Sequence, residues 1–157
     1  MIRAARLFLS DTARPAIIAA MHQIEPKGVW YEQDSPEVLV DWRNEQELAA
    51  GVRRAIQRFS YKKREFRSRK LTDWPAFRAS KFRTVSAFES AYNSMWISSL
   101  NEAELFYDAS MEPRGEDDIS LHVLLNPNQH NAELGRKLLR LHDACAEWRH
   151  IPFQRRT

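Results

Sequence analysis

Five histidines, one cysteine and 21 carboxylates are the groups in this 157-residue chain with which catalysis would have to be done. His22, His122, His130, His142 and His150 include no His-Glu-x-x-His spacing, so the paired-imidazole helix of a zinc hydrolase is excluded. His122 falls in an expected strand and His142 on the expected final helix; half-buried or surface packing is the ordinary role of such residues. Cys145 follows His142 by three positions, which brings the two together on a helix. It also lies on one apolar stripe with Leu138, Leu141 and Trp148, which marks it as a core thiol rather than a nucleophile. One cysteine permits neither a paired-cysteine zinc site nor an intrachain disulfide, and it fits a reducing cytoplasm. The four glycines, Gly28, Gly51, Gly115 and Gly135, are isolated and build no phosphate loop. Asp117 and Asp118 sit in a loop with Pro113 and Gly115, where paired carboxylates usually form a solvated turn, and a hard cation needs oxygens from several elements. No catalytic constellation emerges, and the expectation is a protein without enzymatic activity, cofactor or metal.

Charge is the stronger signal. Residues 61–83 carry nine basic residues against two acidic ones, a surplus of seven, while residues 101–118 carry seven acidic residues against one arginine, a deficit of six. In the first segment Lys62, Lys63, Arg64, Arg67, Arg69 and Lys70 alternate with Tyr61 and Phe66 and lead to Trp74 and Phe77. Cations interleaved with stacking rings suit single-stranded nucleic acid. They also suit a solvated face whose long side chains cover apolar surface. In the second segment Glu102, Glu104, Asp108, Glu112, Glu116, Asp117 and Asp118 flank an expected hairpin. Such a cluster can dock and steer a basic partner, or can protect a strand edge.

The elements that must position these groups follow from periodicity. Residues 3–9 suit a strand. Ser10, Asp11 and Thr12 suit a cap, and Pro15 with Ile17, Ile18, Met21 and Ile24 predicts a helix over 12–24. Short strands are expected at 29–31 and 38–40. Asn44 with Glu47, then Leu48, Val52, Ile56 and Phe59, predicts a helix over 44–60. Residues 61–70 read as an edge strand or a helical extension. A helical turn is expected at 73–77 with Thr72 or Asp73 as cap, and a short helix follows a Ser86/Glu89 capping box. Strands over 94–100, 104–109 and 119–125 predict an antiparallel meander, and Asn131 caps a closing helix whose stripe is Leu134, Leu138, Leu141, Cys145 and Trp148. Strands and helices segregate along the chain, which predicts an α+β fold with a largely antiparallel sheet and helices packed on one face.

The mass of 18.4 kDa fits a single globular domain, residues 1–157, and 17 aromatic residues with 43% hydrophobic composition supply a core. The longest apolar run, 16–21, is too short to span a bilayer, and Ser10 and Asp11 interrupt the N-terminal apolar stretch before it becomes a secretory signal, so no membrane association is expected. Three stretches have a familiar order and spacing: Asp73 to Ser80, Thr84 to Glu89, and Ile97 to Leu105. Across residues 73–125 the chain resembles the immunity proteins of bacterial polymorphic-toxin systems, including contact-dependent growth inhibition. That resemblance implies a cytoplasmic α+β protein that binds the toxic domain of its cognate effector and occludes the toxin's active site. The partner-binding residues would then be the seven carboxylates of 102–118. The alternative is a nucleic-acid-binding protein using the basic segment 61–77.

Overall fold

The structure is a computed structural model, described for residues 2–24, 28–62, 74–99, 106–113 and 119–148. Its centre is β1 (Ala4–Ser10), flanked by the antiparallel strands β2 (Ala16–Ile24) and β6 (Tyr92–Ser99). Beyond β6 lie β7 (Tyr107–Met111) and β8 (Leu121–Leu125), which gives the order β3-β2-β1-β6-β7-β8. The long strand β2 serves two neighbourhoods. Its first half pairs with β1 and with β4 (Glu37–Leu39). Its second half runs between β3 (Val29–Glu32), antiparallel, and β5 (Ser60–Lys62), parallel. The sheet is thus largely antiparallel and the fold is α+β.

Alternation assigns each face. Leu7, Leu9, Ile18, Ala20, Met95, Ile97, Ala109 and Met111 point to one side and are buried under α1 (Glu45–Gln57) and α4 (Asn131–Trp148). The opposite side of β1 and β2 presents Phe8 and Ile17, covered by α2 (Pro75–Ser80) and α3 (Val85–Ala91) through Ala76, Phe77 and Phe88. Both long helices therefore share the expected face, and two short ones cover a corner of the other.

The segment expected to be a helix over 12–24 is instead strand β2. Both of its faces are buried, so its side chains form a continuous apolar run, and Ile17, Ile18, Met21 and Ile24 fall at helical spacing without the chain being helical. The cap-like Ser10 and Thr12 form a turn, in which the Ser10 hydroxyl accepts from the Thr12 backbone N–H at 3.2 Å. Helix α1 starts as expected: the Asn44 carboxamide accepts from the N–H groups of Gln46 and Glu47. Two other caps move. Thr84, not Ser86, caps α3 by accepting from Ala87 N–H, and Asn131 opens α4 with its Oδ1 accepting from Arg53 Nε at 2.8 Å. The positions expected to cap α2, Thr72 and Asp73, lie outside the described residues. Trp148, expected on the apolar stripe of α4, is exposed.

The two long helices meet at Gly135. A Cβ there would lie 1.9 Å from the Glu45 backbone oxygen, so only glycine permits this approach. Around it Arg136 pairs with Glu45 at 3.2 Å, a hydrogen bond that holds the guanidinium pKa above its usual value. Arg53 reaches across from α1 to the carbonyls of Pro127 and Gln129, the latter at 2.6 Å. The Tyr92 hydroxyl, in β6, donates to the Pro15 carbonyl at 2.9 Å.

Two predictions follow from these contacts. Gly135→Ala forces α1 and α4 apart and should cost about 3 kcal/mol in urea unfolding. Burial raises the Tyr92 phenol pKa above its usual value, so the unfolded chain loses this proton first and stability declines as pH rises through about 10. Tyr92→Phe should lower neutral-pH stability by about 1 kcal/mol and flatten that alkaline decline.

Candidate functional site

The same alternation leaves half of one sheet face open. Strand pairing aligns Arg6, Trp96, Ser110 and His122 in one transverse row, and Ala4, Ser98, Asp108 and Leu124 in the next. Beyond Tyr92, which packs on Phe88 of α3, no described helix covers β6, β7 and β8 on this side, where Trp96, Ser98 and Ser110 are half-buried and His122 and Leu124 are exposed. At its β1 end the open face deepens into a cleft of about 430 Å³ between the sheet and the α2/α3 corner.

Arg6 forms the floor of the cleft. Its Nε donates to Ser94 Oγ at 2.7 Å, and its guanidinium lies 5.1 Å from the Phe8 ring centroid and 5.9 Å from that of Trp74. Aromatic faces attract a cation, so the side chain is held in place with no ion pair to a carboxylate among the described residues. Trp74 in turn is fixed by Glu32. This buried carboxylate, at the end of β3, accepts from Trp74 Nε1 at 2.6 Å and from the Ala76 backbone N–H at 2.9 Å. Glu32 thereby supplies the acceptor that the first turn of α2 lacks, at the helix end where a negative charge is favoured. Glu112 and Glu89 stand at the rim of the cleft. On the far side of Trp96, Trp30 meets it edge to face at 5.4 Å.

Of the residues expected to bind a partner, the structure describes Asp108 and Glu112. Asp108 lies on the open face and contacts His122 Nδ1 at 3.1 Å; Glu112 follows β7 and is exposed. Glu102, Glu104, Glu116, Asp117 and Asp118 lie outside the described residues. Of the six cations expected to bind nucleic acid only Lys62 is described, exposed at the end of β5; Lys63, Arg64, Arg67, Arg69 and Lys70 lie outside. Arg6 and Glu32 were not singled out from the sequence, and Trp74 was read there as a stacking ring beside the basic segment, not as a partner of Glu32. The nearest signal was the aromatic Trp74 next to Pro75, since a carboxylate and its helix 42 positions apart leave no local pattern.

Two further reactive groups, His142 and Cys145, lie in the core. His142 is buried, with Nδ1 3.2 Å from Asp143 and Nε2 3.3 Å from Asp11, and it meets the Trp42 ring at 5.4 Å. It ties α4 to the turn after β1. Cys145 is buried with its Sγ 3.9 Å from the Met111 carbonyl oxygen. Among the described residues no three His, Cys, Asp or Glu side chains converge on a metal position, and no helix is long and apolar enough to cross a membrane.

No family model matches this chain, and no curated protein matches it. Four chains of solved structures do. One is a protein of unknown function from Neisseria meningitidis, 15% identical with a TM-score of 0.65 over 92% of this chain and 96% of that one. Another belongs to a CdiA-CT/CdiI toxin and immunity complex from Yersinia pseudotuberculosis, 14% identical with a TM-score of 0.56 over 92% of this chain and 98% of that one. At these identities the likeness is one of fold.

Glu32→Ala should cost about 2–3 kcal/mol in urea unfolding, because it strands the buried Ala76 N–H and the half-buried Trp74 indole N–H. It should also shift the tryptophan emission as Trp74 loosens from the cleft wall.

Proposed function

We propose that this chain is a non-enzymatic, immunity-type protein of the bacterial cytoplasm that binds a toxin domain and occludes its active site. The observation that carries this reading is the fold shared, over 92% of the chain, with a member of a toxin and immunity complex. The open sheet face supports it: a surface of paired strands fixed by their register can receive a protein partner with little ordering cost. In this reading the carboxylates of 102–118, Asp108 and Glu112 among them, steer a basic toxin surface to the face. Arg6 and the rings of Trp74 and Trp96 then contact what enters the cleft. Protection comes from covering the toxin's site, so no bond is made or broken on this chain.

The chain, tagged and recovered from its source cells, should retain one protein in equimolar amount. The C-terminal domain of that protein should arrest growth when expressed alone and fail to do so when expressed with this chain. A domain equally toxic in both cases overturns the proposal. Asp108→Lys with Glu112→Lys should slow association about tenfold at low salt and flatten its salt dependence, measured by stopped flow. An unchanged rate would remove the acidic segment from the interface.

A further inference from the structure

Arg6 is the only charged residue of β1, and most of its donors find no acceptor in the fold. Its one Nε hydrogen goes to Ser94 Oγ at 2.7 Å, while the hydrogens on Nη1 and Nη2 meet no acceptor among the described residues. The group is nevertheless held, because Phe8 and Trp74 lie against it and Trp74 is tied to the buried Glu32. Strand pairing sets Trp96 directly beside Arg6, so the half-buried indoles of Trp74 and Trp96 both line the cleft that the guanidinium floors. Phe88 and Tyr92 complete an aromatic lining.

A guanidinium whose Nε is engaged offers its other edge, the Nη1 and Nη2 pair, and that fork matches the two oxygens of a carboxylate. Charge narrows the choice further. One cation balances one negative charge, and the exposed carboxylates of Glu89 and Glu112 at the rim oppose a dianion such as phosphate more than a monoanion. A cationic ligand would be drawn to the rim but would meet Arg6 at the floor, between apolar walls that screen like charges poorly. We infer that the cleft is a binding site for a monocarboxylate on a flat aromatic stem, with the carboxylate paired to the free edge of Arg6 and the ring against Trp74 and Trp96. Its volume of about 430 Å³ is that of a small-ligand pocket. Two sources share this chemistry: a free aromatic acid, and the C-terminal aromatic residue of a protein. The site stands on its own geometry, whether or not the partner of this chain is a toxin.

Titration of the full chain, followed by NMR at the Arg6 Nε–H signal and by tryptophan emission, tests it. Phenylacetate should bind with a Kd of about 1 mM, as suits a ligand of its size. Phenylacetamide, which keeps the shape and loses the charge, should bind about tenfold more weakly, and phenethylamine and inorganic phosphate should bind no better than the amide. Arg6→Lys keeps the charge but not the fork and should weaken phenylacetate about tenfold. The amide and amine comparisons leave the protein unaltered, so the outcome does not hang on how a variant folds. N-acetylphenylalanine stands in for a chain end: tighter binding than phenylacetate assigns the cleft to a protein C-terminus, and equal or weaker binding assigns it to a free acid. No change at Arg6 with either acid overturns the inference, as does phenylacetamide or phenethylamine binding as well as phenylacetate.

Discussion

Both edges of β1 are paired and, apart from Arg6, its described side chains are buried from Ala4 to Ser10. Every other layer takes its place from that strand. The seven-position register with β6 decides that Met95 and Ile97 face the long helices while Ser94 and Trp96 face outward. β7 and β8 inherit the same alternation. A slip of one residue would put Trp96 and two serines under α1 and α4 and turn Met95 and Ile97 to water. The register that builds the core is therefore the one that builds the open face, and no residue of that face can be repositioned without disturbing what lies behind it.

Polar side chains, buried at Glu32 and His142 and half-buried at Arg53, hold the helices to this frame at single points. Glu32 fastens α2, His142 fastens α4 to the turn at Asp11, and Arg53 fastens α1 to the approach of α4. Glu32 and Arg53 each supply a partner that a helix end or loop carbonyl would otherwise lack, so loss of either costs more than the bond itself is worth. The placement matters for the cleft. Its α2 wall hangs on a carboxylate from β3, and Arg6 leans on that wall, so a change at Glu32 reaches the cleft through Trp74.

Elements with one buried face were legible in the sequence. The Asn44 cap and the Leu48, Val52, Ile56 stripe describe α1 closely, and the α4 stripe holds through Cys145. The order of β6, β7 and β8 came from their alternation, with ends displaced by at most three residues. β2 failed for a physical reason: a strand covered on both faces has no polar alternation, and periodicity then cannot tell it from a buried helix. The cleft was illegible for another. Arg6, Ser94, Trp74 and Glu32 come from four separate segments, and local spacing carries no trace of contacts made only after the strands have paired. The acidic segment was visible as charge, and charge alone does not say that Asp108 would stand on the uncovered side of β7.

The partner of β1 on its cleft side is encoded far downstream, with Ala4 opposite Ser98 and Ser10 opposite Tyr92. During synthesis the hairpin of β1 and β2 is complete long before residues 92–99 exist. At ordinary elongation rates the interval is on the order of ten seconds. For that time a nascent chain displays a bare, almost wholly apolar strand edge, Ala-Ala-Arg-Leu-Phe-Leu-Ser, of the kind that pairs with whatever strand it meets. Arg6 is the one charge along it, so the residue that later floors the cleft is also the only charged gatekeeper on the nascent edge. The time spent translating the stretch between β2 and β6 thereby sets how long this edge stands open to mispairing.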